Sequence, residues 1–91
     1  MLSSPREASA QNAATAEALF KKGMADFDAK KFDTACPALE ESYRVDPRAG
    51  SLFTSAECYL EAGKVTTASS LYEQFERFVD RCTIDRLGCD S

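Results

Sequence analysis

The sequence contains no histidine and no tryptophan, few glycines and prolines, and no apolar run near the 18 or so residues that a membrane span needs. Each shortage excludes something. Without histidine there is no Ser-His or Cys-His nucleophilic pair, no imidazole zinc ligand and no ordinary neutral-pH base. Glu40 and Glu41 are adjacent carboxylates, but sequence neighbours on a helix do not converge on one point, and they read as a solvated helix face. No glycine-rich phosphate loop is present. The scarcity of Gly and Pro argues against a disordered chain. Lys and Arg number 11 against 15 Asp and Glu, and a net charge of −4 leaves no basic stripe for neutralising phosphates. The expectation is therefore a protein without catalytic activity, cofactor, nucleic-acid partner or membrane insertion.

Against these shortages stand four cysteines. Cys36, Cys58, Cys82 and Cys89 are 22, 24 and 7 positions apart, whereas zinc ligands come as close pairs two to four apart, and no CxxC occurs. The even count and wide spacing favour structural disulfides, which belong in an oxidising compartment; a metal or redox module built on the thiols is the rival. The opening MLSSPREASAQNA has neither a basic n-region nor an apolar h-region, so no signal peptide is expected within this chain. A chain of 91 residues has a small core and gains from a staple or a partner.

Apolar periodicity organises the rest. Ala16, Leu19, Phe20, Gly23, Met24 and Phe27 recur at three- and four-residue steps and predict a helix over 13–29, extended to SPRE if Ser4 caps it and Pro5 opens it. A second helix is predicted with Asp33 as N-cap and Pro37 in its first turn, carrying Ala35, Ala38, Leu39, Ser42, Tyr43 and Val45 up to Asp46-Pro47. A third runs over 49–62 and stops at Gly63, and a fourth over 66–81. No stretch alternates with the period of a strand. The chain divides into a tail or helix extension (1–12), two helical hairpins (13–48 and 49–82) and a C-terminal tail (83–91).

The two hairpins repeat each other. DAKKFDTA at 28–35 returns as EAGKVTTA at 61–68, a shift of 33 residues that also aligns Phe20 with Phe53, Gly23 with Ala56, Lys31 with Lys64, Ala35 with Ala68 and Leu39 with Tyr72. Such a period marks a helical solenoid. Gly23, Ala35, Ala56 and Ala68 are small where the two helices of a hairpin must approach to about 8–10 Å. Leu39 and Tyr72 are expected to fill the space beside those crossings. The first set, Leu19, Gly23, Ala35, Leu39 and Pro47, and the second, Ala56, Tyr59, Ala68, Tyr72 and Phe75, resemble the tetratricopeptide repeat over roughly residues 16–82. The departures are a repeat one residue short, Phe75 in place of a small residue and Asp26 where the second repeat has Tyr59. The string ACPALEESYRVDPRAGSLFTSAECYLEAGK is similar to a branch of these repeats in secreted or envelope-associated bacterial proteins.

The resemblance implies an all-α stack of two helix-turn-helix hairpins and a concave surface on their first helices. That surface would bind a protein or peptide through Lys21, Met24, Phe27 and Asp28 of one hairpin and Phe53, Thr54, Glu57, Leu60 and Glu61 of the other. Met24 stands where the family's carboxylate-binding members place asparagine, so the strip suits a partner with apolar and basic residues. The bland alternative, that Phe20, Phe27, Phe53 and Leu60 are simply core, carries slightly more weight for each taken alone. The implied setting is periplasmic, envelope-associated or secreted; a structural fragment of a longer protein is the other reading. Cys36 and Cys58 lie equally far from the turn at Pro47, which predicts a disulfide between them; by elimination Cys82 pairs with Cys89, with an intermolecular bond of either as the alternative. In SSLYEQFERFVDRC, residues Leu71, Phe75 and Phe78 are expected to point where a third repeat would dock. The cover would be the tail TIDRLGCDS, with Ile84 and Leu87, or a second copy in a homodimer through the fourth helix, which is favoured because the tail has so few apolar side chains.

Overall fold

The computed structural model describes the backbone of residues 5–85 and the side chains of residues 11–81. It is all-helical: α1 (Pro5–Asp28), α2 (Phe32–Val45), α3 (Ala49–Glu61) and α4 (Val65–Asp85) follow one another, with no strand among the described residues. α1 packs on α2, α2 on α3 and α3 on α4, so two hairpins stack through α2 and α3.

Both hairpins turn in the same way. Lys30 and Gly63, related by the 33-residue shift, adopt the left-handed conformation with φ of 61° and 85°. The next N–H in each turn reaches back across the last helical turn, from Lys31 to the Asp26 carbonyl at 2.7 Å and from Lys64 to the Tyr59 carbonyl at 2.8 Å. This closure needs positive φ, which glycine supplies without steric cost and lysine only with strain. The start of α2 corrects the predicted cap. Lys31 is the N-cap and makes no side-chain capping bond, while Asp33 lies inside the first turn, where its charge favours the helix dipole. Because the helix begins at Phe32, Pro37 falls in the second turn and deletes one interior hydrogen bond, to the Asp33 carbonyl.

The crossing of α1 and α2 is as tight as the small residues predict. A Cβ placed on Gly23 would stand 2.7 Å from Leu39 Cγ and 2.8 Å from Leu39 Cδ2. Nearer the open end of the hairpin, the buried Ser42 hydroxyl donates to the Ala16 carbonyl at 2.7 Å and ties the two helices together. Ala35, Cys36, Leu39 and Cys58 form one core cluster, bordered by Phe20, Met24, Phe27 and Phe32; Leu52, Ala56 and Leu71 form a second, bordered by Tyr43, Tyr72, Phe75 and Phe78. Tyr59 packs against both and so joins the hairpins. Cys36 and Cys58 are bonded at the same junction, their Cα atoms 5.5 Å apart. The expected Cys82–Cys89 pairing lies outside the described side chains.

The second hairpin departs from the expected inward and outward faces. Leu71, not Tyr72, fills the space beside Ala56 and is only 6% exposed. Phe78 does not point toward a missing repeat but meets Tyr43 of α2 edge-on, ring centroids 6.0 Å apart. The reason is a different helical step. α2 turns Ala35 and Leu39 inward, four apart, whereas α4 buries Ala68 and Leu71, three apart, and sets Phe78 against α2, which leaves Tyr72 and Phe75 at the border of the core. Of the row Leu71, Phe75 and Phe78 expected to face a third repeat, Leu71 and Phe78 are packed within the stack.

Candidate interaction surface

The strip expected along α1 and α3 divides into two chemically different parts. On α1, Met24 and Phe27 are half-buried against the first core cluster, with Phe27 edge-on to Phe32 at 5.9 Å. Lys21 and Asp28 stay exposed, and Lys21 pairs with Glu17 at 3.1 Å. On α3, Phe53 and Leu60 are 37% and 47% exposed, and Glu57 and Glu61 lie on the surface. Thr54 spends its hydroxyl within the helix, donating to the Gly50 carbonyl at 2.8 Å. The Phe53 ring lies 5.8 Å from Tyr72 and 5.2 Å from Phe75, so it faces α4 rather than α1. The nine positions are thus not gathered into one continuous strip: the α1 members border the core of the first hairpin, and Phe53 belongs with α4.

Two sites fall outside the sequence reading. A cavity of about 370 Å³ opens between the first half of α1 and the start of α3, lined by Ala13, Ala16, Phe20, Ser42, Gly50 and Ser51 together with Glu17, Asp46 and Arg48. Its signal in the sequence is the run of short side chains on both walls. The second is the phenol of Tyr59, which donates to the Glu40 carboxylate across the hairpin junction. Burial, and after it that carboxylate, push this phenol up to about 12. Glu40 on α2 and Tyr59 on α3 meet only because the hairpins stack.

Polar chemistry also separates the ends of the stack. Asp26 occupies in the first hairpin the place of Tyr59 in the second. Its carboxylate accepts from Lys22 Nζ at 2.9 Å and from Thr34 Oγ1 at 2.8 Å, and these bonds, that of Lys22 foremost, hold it below the usual carboxylate range. On α4, Tyr72 is raised by burial and then by the nearby Glu57 carboxylate. Large apolar side chains left exposed among the described residues are Phe53, Leu60 and Val65.

The described residues form no cluster of three or more Cys, Asp or Glu ligands for a metal, and Cys36 and Cys58 are bonded to each other. No described helix is long and apolar enough to cross a membrane. The class defined by these features is a small all-helical stack of two hairpins, riveted by a disulfide where they meet. No family model matches the chain, and comparison with curated proteins and with solved structures gives no match.

Proposed function

We propose that the protein is a non-enzymatic interaction or assembly module of tetratricopeptide-like build, working in the bacterial envelope or outside the cell. The observation that carries this reading is the exposure of Phe53, Leu60 and Val65 on a helical stack whose hairpins are covalently joined. Exposed apolar side chains on a rigid helical frame serve recognition more readily than stability, since burying them would have stabilised the chain. The buried Cys36–Cys58 bond suits an oxidising compartment, which supports the periplasm or the extracellular space as the setting we propose. Its partner is a protein or peptide with apolar and basic residues, because α3 carries Glu57 and Glu61 and no Lys or Arg.

The test is affinity capture from bacterial envelope extract with the oxidised protein, beside a Phe53→Glu/Leu60→Glu variant. The reading expects a defined partner held by the wild type and lost by the variant. Recovery of the same set of proteins by both, or of none by either, overturns it.

A further inference from the structure

Among the described residues, the two ends of the stack differ in chemistry. Hairpin two meets hairpin one through Cys58 and Tyr59, and the equivalent residues of hairpin one are Ala25 and Asp26. There the Lys22–Asp26–Thr34 network supplies a polar surface, as an end unit of a helical stack requires. At the opposite end the equivalent surface is aromatic. The positions on hairpin one that lie toward hairpin two are Phe20, Leu39 and Ser42: Leu39 is fully buried, and Phe20 and Ser42 line the cavity shared with Gly50 and Ser51 of α3. A shift of 33 residues converts these three into Phe53, Tyr72 and Phe75, with the Phe53 ring 5.8 Å from Tyr72 and 5.2 Å from Phe75. Phe53 and Leu60 are seven apart on α3, Val65 and Tyr72 seven apart on α4, so two apolar stripes run side by side for about two turns. Every large apolar side chain left exposed among the described residues falls on them.

We propose that this open face docks an amphipathic helix of a partner protein, with apolar residues at two-turn spacing and lysine or arginine beside them. The proposal rests on the reading of the protein as an interaction module and assigns it a surface and a ligand chemistry. Charge decides the occupant. From Ala49 to Arg77 the acidic residues Glu57, Glu61, Glu73 and Glu76 outnumber the basic ones, Lys64 in the turn and Arg77 on α4. Glu57 stands near the Tyr72 phenol. A second copy applied by a two-fold axis would bring these carboxylates against their own kind. A second copy stacked head to tail would set the rings on the Lys22–Asp26–Thr34 network. A helix with basic flanks satisfies rings and carboxylates together, in the manner of a helix laid in a groove.

Two synthetic peptides of about 18 residues, long enough to hold a helix against a groove, test the assignment. Both carry leucines along one face; one has lysines beside them, the other glutamates. Each is titrated into the full oxidised chain and followed by amide NMR shifts. The lysine peptide is expected to shift Phe53, Glu57, Leu60, Tyr72 and Phe75 saturably, and the glutamate peptide to bind at least about tenfold more weakly. Glu57→Lys/Glu76→Lys, which leaves the rings in place, is expected to reverse that preference, and Phe53→Ser to weaken the lysine peptide with helicity retained by circular dichroism. Equal binding of the two peptides, or none by either, overturns the proposal. Shifts confined to Lys21, Met24 and Phe27 overturn this surface while leaving the interaction module standing. Self-association of the wild type that Phe53→Ser abolishes names a second copy as the occupant instead, and lysine-peptide binding that appears only after deletion of residues 86–91 names the chain's own tail; either result overturns the partner helix.

Discussion

Gly23→Ala sets two effects of opposite sign against each other at the crossing of α1 and α2. In a helix interior alanine is favoured over glycine by about 1 kcal/mol, so in an isolated α1 the change would stabilise. In the protein the new methyl lands 2.7 Å from Leu39 Cγ and 2.8 Å from Cδ2, about 1 Å inside the separation at which carbon atoms attract. Neither partner can retreat. Leu39 is fully buried among Ala35, Cys36 and Cys58, and Cys36 is bonded to the next hairpin. Backing α1 away would stretch the Ser42–Ala16 hydrogen bond. Overpacking costs about 1–3 kcal/mol, and two contacts this close on an immobile branch point place Gly23→Ala near the top of that range. The net expectation is a loss of roughly 2 kcal/mol, or about 8–16 °C in Tm for a domain of this size. Urea denaturation of the oxidised protein measures it. The decisive comparison is made on Leu39→Ala, which alone costs about 2–5 kcal/mol. With the obstructing carbons gone, adding Gly23→Ala should raise stability by about 1 kcal/mol, so the same substitution changes sign between backgrounds. A stabilising Gly23→Ala in the wild type, or equal effects in both backgrounds, refutes the close crossing.

Replacing Cys36 and Cys58 by alanine should lower stability by about 3 kcal/mol, the loop-closure entropy of a 22-residue span; both thiols alkylating in the native, unreduced protein would show that the bond is not formed. Lys30→Gly should stabilise by about 1 kcal/mol, because the residue is held at φ 61° where its counterpart is already Gly63; a destabilised variant in the same denaturation assay refutes the shared turn geometry. The Tyr59 phenol has a folded value of about 12 against an ordinary 10.0, so the unfolded chain ionises first and stability, full below pH 10, falls as pH rises from 10 toward 12. Tyrosinate absorbance should show a late component that Tyr59→Phe removes, and a single titration near the ordinary value would count against the Glu40 contact.

Local spacing was enough to find the helices, because periodicity in apolar residues is a property of each helix alone. The same holds for the small residues Gly23, Ala35, Ala56 and Ala68 and for the stop at Gly63. The Cys36–Cys58 bond was legible too, since equal distance from one turn sets two residues at equal height in any antiparallel helix pair. What the sequence could not decide is rotation. Leu71 and Tyr72 are adjacent, both large and both apolar enough to be buried, and which of them meets Ala56 depends on how α4 turns about its axis once Phe78 has found Tyr43 on another hairpin. That rotation is a compromise among three helices, and no window along one of them contains it. The same holds for Phe53: its position in the repeat sets it on one strip with Met24, and the packing of α3 on α4 turns its ring to Tyr72 and Phe75. The sequence determined the elements, the repeat and the staple, which arise from contacts near in the chain or symmetric about a turn. Only the tertiary structure decided which end of the described stack is polar and which is aromatic, because exposure is set by neighbours that packing brings from elsewhere in the chain.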